Sequence, residues 1–196
     1  MLVSVVMAVY NGACYLQEAI DSILAQTYRD LELIIVDDAS TDATGAILQS
    51  IDDRRVKVVR LLYNAGAAAA LNLAIERARG NWIAVHDADD LSHPHRIAEQ
   101  VRYLAENPGL AAVGSFIECF TGNGMRDRVS EGELRWYERT RNSVRTASDI
   151  RLGLYSGCPI THGTLLIAKK LSTPPAVTIP GCVLLTTTIS APASSP

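Results

Sequence analysis

Five short apolar runs, separated by segments with helical spacing, constrain this chain more than any other feature. Leu2–Val9 is Val-rich and nearly unbroken, Leu31–Val36 and Val56–Leu61 repeat the pattern, and Trp82–His86 and Ala111–Phe116 follow. Runs apolar at consecutive positions are those of strands buried on both faces, the condition of a parallel sheet covered by helices. Between them, Leu16, Ala19, Ile20, Ile23 and Leu24 fall on one helical face. Ile47, Leu48 and Ile51 mark a second helix, with Ser40, Thr41 and Asp42 as cap candidates. The alanine-rich segment 66–79 reads as a third, closed by Gly80, and Pro94 suits the first turn of a fourth that runs to Glu106 and stops at Asn107-Pro108-Gly109. Strand–helix alternation of this length predicts an α/β sandwich around a mostly parallel sheet.

In such sheets ligands bind beyond the carboxyl ends of the strands. Three runs end there in polar residues: Tyr10-Asn11 after the first, Asp37-Asp38 after the second, and Asp87, Asp89 and Asp90 after the fourth. Carboxylates crowded on a rigid strand end repel one another unless a cation separates them. Mg²⁺ or Mn²⁺ suits the place, since each takes oxygen ligands and keeps positions open for phosphate oxygens. A solvated acidic turn is the competing reading, and the convergence of three strand ends weighs against it.

The formal net charge of -3 argues against a general nucleic-acid binder. Cys14, Cys119, Cys158 and Cys182 form no CxxC pair, so free thiols in a reducing, cytoplasmic setting are expected. The opening MLVSVVMAVY lacks a basic leader and reads as a strand rather than a signal peptide, and no apolar run is long enough to span a bilayer. Peripheral membrane association stays compatible with this composition. Neither GxGxxG nor GxxxxGK[ST] occurs, so a bound diphosphate would depend on a metal and the strand-end loops. Periodicity dissolves from Thr121 to Asp149 into a polar, arginine-rich stretch, and Cys158–Ile167 regains strand character. Residues 171–196 hold no Asp, Glu, Lys or Arg and are rich in Pro, Ser and Thr, which predicts a disordered tail.

SVVMAVYNGACYLQEAIDSILAQTYRDLELIIVDDASTDAT, then NAGAAAALNLAIERARGNWIAVHDADD and HPHRI, resemble the nucleotide-sugar-binding half of family 2 glycosyltransferases from about residue 2 to 117, with a weaker echo at 158–170. The resemblance implies the GT-A fold, a Rossmann-like sandwich. Residues 2–170 would form its domain, with the donor half at 2–117, an incomplete acceptor side at 118–170, and the tail beyond. It implies a nucleotide-diphosphate sugar donor, a divalent metal and an unknown glycan, lipid or protein acceptor, as in polysaccharide biosynthesis.

Residue by residue, Ala8, Val9 and Tyr10 match the strand end lining the nucleoside pocket, Ala8 standing where the family usually has proline. Asp38 matches the carboxylate that accepts hydrogen bonds from the base, with Asp37 serving instead or holding the loop, and Gly66 marks a close pass of the chain to the nucleotide. Asp87-Ala88-Asp89 matches the DxD motif, the metal on Asp89 and Asp87 near the ribose or bridged through water, with Asp90 supporting the loop. The family inverts at the anomeric carbon with a carboxylate base from an acidic motif beyond the segment matched by 158–170. No acidic residue follows Asp149, so the catalytic residue is unassigned, and Glu131, Glu133 and Glu138 have no claim by position.

His162 stands where the family often has a histidine near the donor phosphates, or is structural. His86 reads as a strand residue, His93 and His95 as a solvated helix end, Asn72 as a local helix residue, and Arg126, Arg128, Arg135, Arg139, Arg141 and Arg145 as charged surface. Two other readings compete. One is a nucleotide-sugar binder without turnover. The other is a haloacid-dehalogenase-type phosphohydrolase with Asp87 as nucleophile and Asp89 as acid/base, against which Leu91 stands where that family has Thr or Val. A receiver domain fits VDD but leaves Tyr10, Asp38 and Gly66 unexplained.

Overall fold

Strand β1 (Val3–Val9) is buried along almost its whole length between two parallel neighbours, β2 (Leu31–Asp37) and β4 (Trp82–Val85). The computed structural model describes residues 1–120, 130–146, 149, 161–172 and 182–192. Strand β3 (Val56–Arg60) lies parallel on the far side of β2. Strands β5 (Leu91–Ser92), β6 (Ala112–Phe120), β7 (Leu166–Ala168) and β8 (Cys182–Pro192) complete one sheet of order β3-β2-β1-β4-β7-β6-β8-β5. The sheet is therefore parallel where the apolar runs predict it. Beyond β4 it turns antiparallel, through β4–β7 and β7–β6.

Helices α1 (Leu16–Leu24), α2 (Thr44–Gln49), α3 (Ala67–Arg77) and α4 (Arg96–Glu106) cover the sheet. Alternation along β1 divides the core. Val3, Val5, Met7 and Val9 share one buried cluster with Leu16, Ile20, Ile23, Leu33, Ile35 and Ile97, whereas Val6 faces Ala70, Ala74, Ile34, Val36 and Ile83. Small alanines on α3 let that helix lie close to the sheet. No helix among the described residues is long and apolar enough to cross a membrane.

Several expectations are corrected. Gly80 does not cap α3, which ends at Arg77 with Ala78 as its cap; a Cβ on Gly80 would stand 2.7 Å from Leu2 O and 2.8 Å from Ser4 Oγ, so glycine is required for close approach to β1. The polar stretch after residue 121 contains a helix, α5 (Glu131–Arg141), opened by a capping box in which Ser130 and Glu133 satisfy each other's amides. The strand expected at 158–167 reduces to β7, preceded by a 3-10 turn at His162–Thr164; residues 158–160 lie outside the described ones. Within the tail expected to lack structure, Cys182–Pro192 forms β8, parallel to β6. Its Val, Ile and Thr residues favour extended backbone despite the flanking proline and serine.

At the amino ends of the strands, Glu32 is a buried carboxylate that ties three elements together. One oxygen accepts from Ser4 Oγ at 2.7 Å and the Arg79 amide at 2.7 Å, the other from Lys57 Nζ at 2.9 Å and Arg79 Nε at 3.0 Å. Burial pushes its pKa up, but these bonds outweigh burial and hold it at about 2, below its ordinary 4.5. A depressed carboxylate pKa stabilises the fold above the unfolded value and loses that stabilisation as pH falls through the folded one. Acid unfolding should thus draw on Glu32 between about pH 4.5 and 2. Glu32→Gln should cost about 1–3 kcal/mol at pH 7, as for a bond to a charged group, and flatten urea-measured stability across that window.

Candidate functional site at the carboxyl ends of the strands

The loops after β1 and β2 are stitched together. Asn11, with φ of 52°, donates its amide to Ser40 Oγ at 2.9 Å and accepts from the Thr41 amide at 2.8 Å. The Gly12 amide donates to Thr44 Oγ1 at 3.0 Å, and the Asp38 amide to Val9 O at 2.9 Å. Of the three residues expected to line a nucleoside pocket, Val9 is buried and Ala8 packs against the core, while Tyr10 is 53% exposed and presents its ring at the strand end. A Cβ on Gly12 would meet Val9 at 2.6 Å and Ala88 at 3.9 Å, which brings the first loop beside the acidic one.

Asp37 and Asp38 are both buried and divide their work. Asp37 accepts from the Ser40 amide at 2.9 Å and pairs with Arg60 Nε at 3.3 Å, holding its own loop, in which Ala39 takes φ of 62°. Asp38 reaches the loop before α3: one oxygen accepts from the Ala65 amide at 2.7 Å, the other from the Gly66 amide at 2.9 Å. Gly66 adopts φ of 89°, a conformation natural to glycine. Each Asp38 oxygen retains a lone pair for a further donor.

Asp87 and Asp89 are half-buried and Asp90 is buried, in a turn where the Asp90 amide approaches Asp87 O at 3.3 Å. Burial first, then the Asp87 charge, raises the pKa of Asp89. Burial, then Asp87 and Asp89, push Asp90 up to about 7 against the opposing pull of Arg96. Arg96 is fully buried, donating to Val85 O at 2.8 Å and Ser92 Oγ at 3.0 Å, and burial brings its pKa down to about 10. His86, expected in the strand, lies just past the end of β4 and is buried there, its pKa lowered by burial and then by Arg96, with Nε2 3.5 Å from Ser22 Oγ.

Among the described residues no three histidine, cysteine or carboxylate groups are arranged to hold a metal by themselves. A Mg²⁺ or Mn²⁺ that binds through one or two carboxylates and takes its other ligands from phosphate and water needs no such cage. The crowded, charge-frustrated Asp87–Asp90 turn fits that kind of site.

The remaining residues fall elsewhere. Asn72 and His162, with Leu71, Ile75 and Leu165, line a groove of about 390 Å³ between α3 and the sheet. His93 and His95 stay at the exposed start of α4, where the His95 ring meets Thr27 Oγ1 at 3.1 Å. Arg135 pairs with Glu131, Arg141 lies over Tyr137 and Arg145 over Phe116, while Arg126 and Arg128 lie outside the described residues. Sequence reasoning missed Arg96 and Gln100. Their signal was available: polar residues at i and i+4 on the same face as Ile97 and Leu104 must be buried with partners.

The sequence family described as glycosyl transferase family 2 matches residues 4–169. The succinoglycan biosynthesis protein ExoO of Rhizobium meliloti is 39% identical over 133 residues, 67% of this chain and 38% of its own length. This chain spans 37% and 51% of two glycosyltransferases of Haemophilus influenzae that it also matches, so about half or less of such relatives. In fold it is similar to Staphylococcus aureus TarS solved with UDP, at a TM-score of 0.70 and 18% identity, covering 99% of this chain and 61% of that one. It is likewise similar to the Pyrobaculum calidifontis mannosyltransferase solved with GDP-Man and Mn²⁺, at 0.65 and 23%, covering 98% and 57%. The architecture is the GT-A fold.

A raised carboxylate pKa has a definite sign in stability. Folding favours protonated Asp90, so its contribution is most favourable below about pH 4 and declines as pH rises towards about 7. In metal-free protein Asp90→Asn should therefore add about 1–3 kcal/mol at pH 8, each pKa unit being worth about 1.4 kcal/mol. Denaturant titrations from pH 4 to 8 should show the decline in the parent and a flatter profile in the variant.

Proposed function

This chain belongs to glycosyl transferase family 2, and on that premise we propose that its site binds the nucleotide-diphosphate sugar donor of an inverting, metal-assisted glycosyl transfer. The observation that carries the reading is the convergence of Tyr10, Asp38 and the Asp87–Asp90 carboxylates at the carboxyl ends of β1, β2 and β4. Tyr10 offers an exposed ring against which a nucleobase can lie. Asp38 accepts an imide N–H on the lone pairs that the Ala65 and Gly66 amides leave free. Those same two bonds hold the 64–66 backbone close to where the nucleoside would sit. Asp89 and Asp87 would hold Mg²⁺ or Mn²⁺. When bound, the ion neutralises charge that develops on the departing diphosphate.

The acceptor hydroxyl must lose a proton as it attacks, and the three glutamates of α5 are each engaged by a neighbouring group. Glu133 is committed to the capping box of α5, Glu131 to Arg135, and Glu138 accepts from the Cys119 amide at 3.1 Å. That commitment favours a second reading for this chain alone: donor binding without ordinary turnover. The names of the matched relatives, ExoO among them, support assembly of a polysaccharide as the setting. The phosphohydrolase reading explains neither Tyr10 nor Asp38.

Calorimetry separates these readings. Asp38→Ala should weaken nucleoside binding by about 1.5–3 kcal/mol, the loss expected for a bond to a charged group; unchanged affinity in a folded variant would remove Asp38 from the site. Chelation should weaken UDP or GDP binding strongly and the corresponding monophosphate less. Equal diphosphate affinity with and without chelator would contradict the cation role of Asp89. Incubation with Mn²⁺ and a panel of nucleotide sugars and acceptors should give turnover well below about 1 s⁻¹, the low end of ordinary enzymes. Faster product formation would reveal a base and make Glu131, Glu133, Glu138 and Asp149 the first residues to replace.

A further inference from the structure

The turn His162–Thr164 is remote in sequence from the acidic turn, yet the two meet. Gly163 is buried, and a Cβ placed on it would stand 2.8 Å from Asp90 Oδ2 and 2.9 Å from Asp87 Oδ2, closer than a methyl group sits to a carboxylate oxygen. Both turns are fastened to one helix. Gln100 on α4 donates to Thr164 O at 2.8 Å, while Arg96, one helical turn earlier, holds Val85 O and Ser92 Oγ on either side of the carboxylates. With the backbones fixed in this way, the side chains of Asp87 and Asp90 are the parts free to give.

We propose that Gly163 is a positioning residue for the diphosphate–cation site, its lack of a side chain leaving the space in which Asp87 and Asp90 lie together beneath a bound cation. The inference rests on the reading of Asp87 and Asp89 as cation ligands. At Gly80 the space is set by the fold, since a Cβ there would meet Leu2 O and Ser4 N of the chain entering β1 along with Ser4 Oγ. A Cβ on Gly163 would meet the carboxylate oxygens of Asp90 and Asp87 first. A methyl group there displaces the ends of two short acidic side chains and leaves the strands in place, so its effect falls on ligand geometry before it falls on the fold.

The test compares the parent, Gly163→Ala, Asp87→Ala and the double variant. Mn²⁺ binding is followed by electron paramagnetic resonance in the presence of UDP or GDP, and nucleoside binding by calorimetry in chelator. Gly163→Ala should bind Mn²⁺ about 10- to 100-fold more weakly, as groups supporting metal ligands usually do, with nucleoside binding and melting temperature unchanged. In the Asp87→Ala background, Gly163→Ala should cost clearly less than in the parent, because the part of its effect that passes through Asp87 is already lost and only the part through Asp90 remains. Equal Mn²⁺ affinity in Gly163→Ala and parent overturns the proposal. So does a full additional loss in the double variant, or parallel loss of nucleoside binding and melting temperature, which would make Gly163 a folding residue. If the parent takes up neither nucleoside nor Mn²⁺, the donor-binding reading itself fails and this inference falls with it. Nucleoside binding in the parent without Mn²⁺ uptake leaves that reading standing and removes only the cation site.

Discussion

Burial of β1 on both faces, between parallel strands that share its direction, is the constraint from which the rest follows. Seven residues of β1 pair in register with β2, from Val3 opposite Leu31 to Val9 opposite Asp37, and four with β4. Parallel strands in register must end on the same side. The loops after β1, β2 and β4 are therefore neighbours whatever their sequences. Helices on both faces leave those loops only the rim of the sheet, where polar groups can be satisfied without entering the core.

The chain uses that rim economically, because the groups that can meet a ligand also hold the loops. Asn11 spends its side chain and amide on Thr41 and Ser40. Asp37 holds the Ser40 turn and Asp38 the Gly66 approach. The acidic turn after β4 differs, since no hydrogen bond or ion pair among the described residues satisfies its crowded carboxylates as well as Ser4, Lys57 and Arg79 satisfy Glu32. A frustrated cluster beside satisfied ones is the pattern expected where a fold gives up local stability for a ligand.

Fold class was legible because consecutive apolar residues in Leu2–Val9 and Leu31–Val36 can only be buried twice over, and helical spacing filled the intervals. The acidic turn was legible because three carboxylates ended such a run. Gly80 was misread because local sequence cannot show a backbone approaching from a strand some 76 residues away. Helix α5 was overlooked although Ser130 and Glu133 spell a capping box, because its face carries almost no apolar stripe and buries no residue. Gly163 offered no local signal. Its role exists only when residues 87–90 and 163 meet in space, and contacts of that kind are written in topology rather than in periodicity.

The Glu32 cluster lies at the end of the sheet opposite the acidic turn, and that separation has an evolutionary consequence. A strand of about seven residues holds its ends roughly 20 Å apart, at about 3.3 Å per residue, and at an effective dielectric constant of about 20 two unit charges at that distance interact by less than about 1 kcal/mol. Charge can therefore be rewritten at the ligand rim with little electrostatic penalty at the anchor. A lineage carrying such a sheet is free to drift towards new ligands while its foundation, a single buried glutamate holding three neighbours, stays as it was.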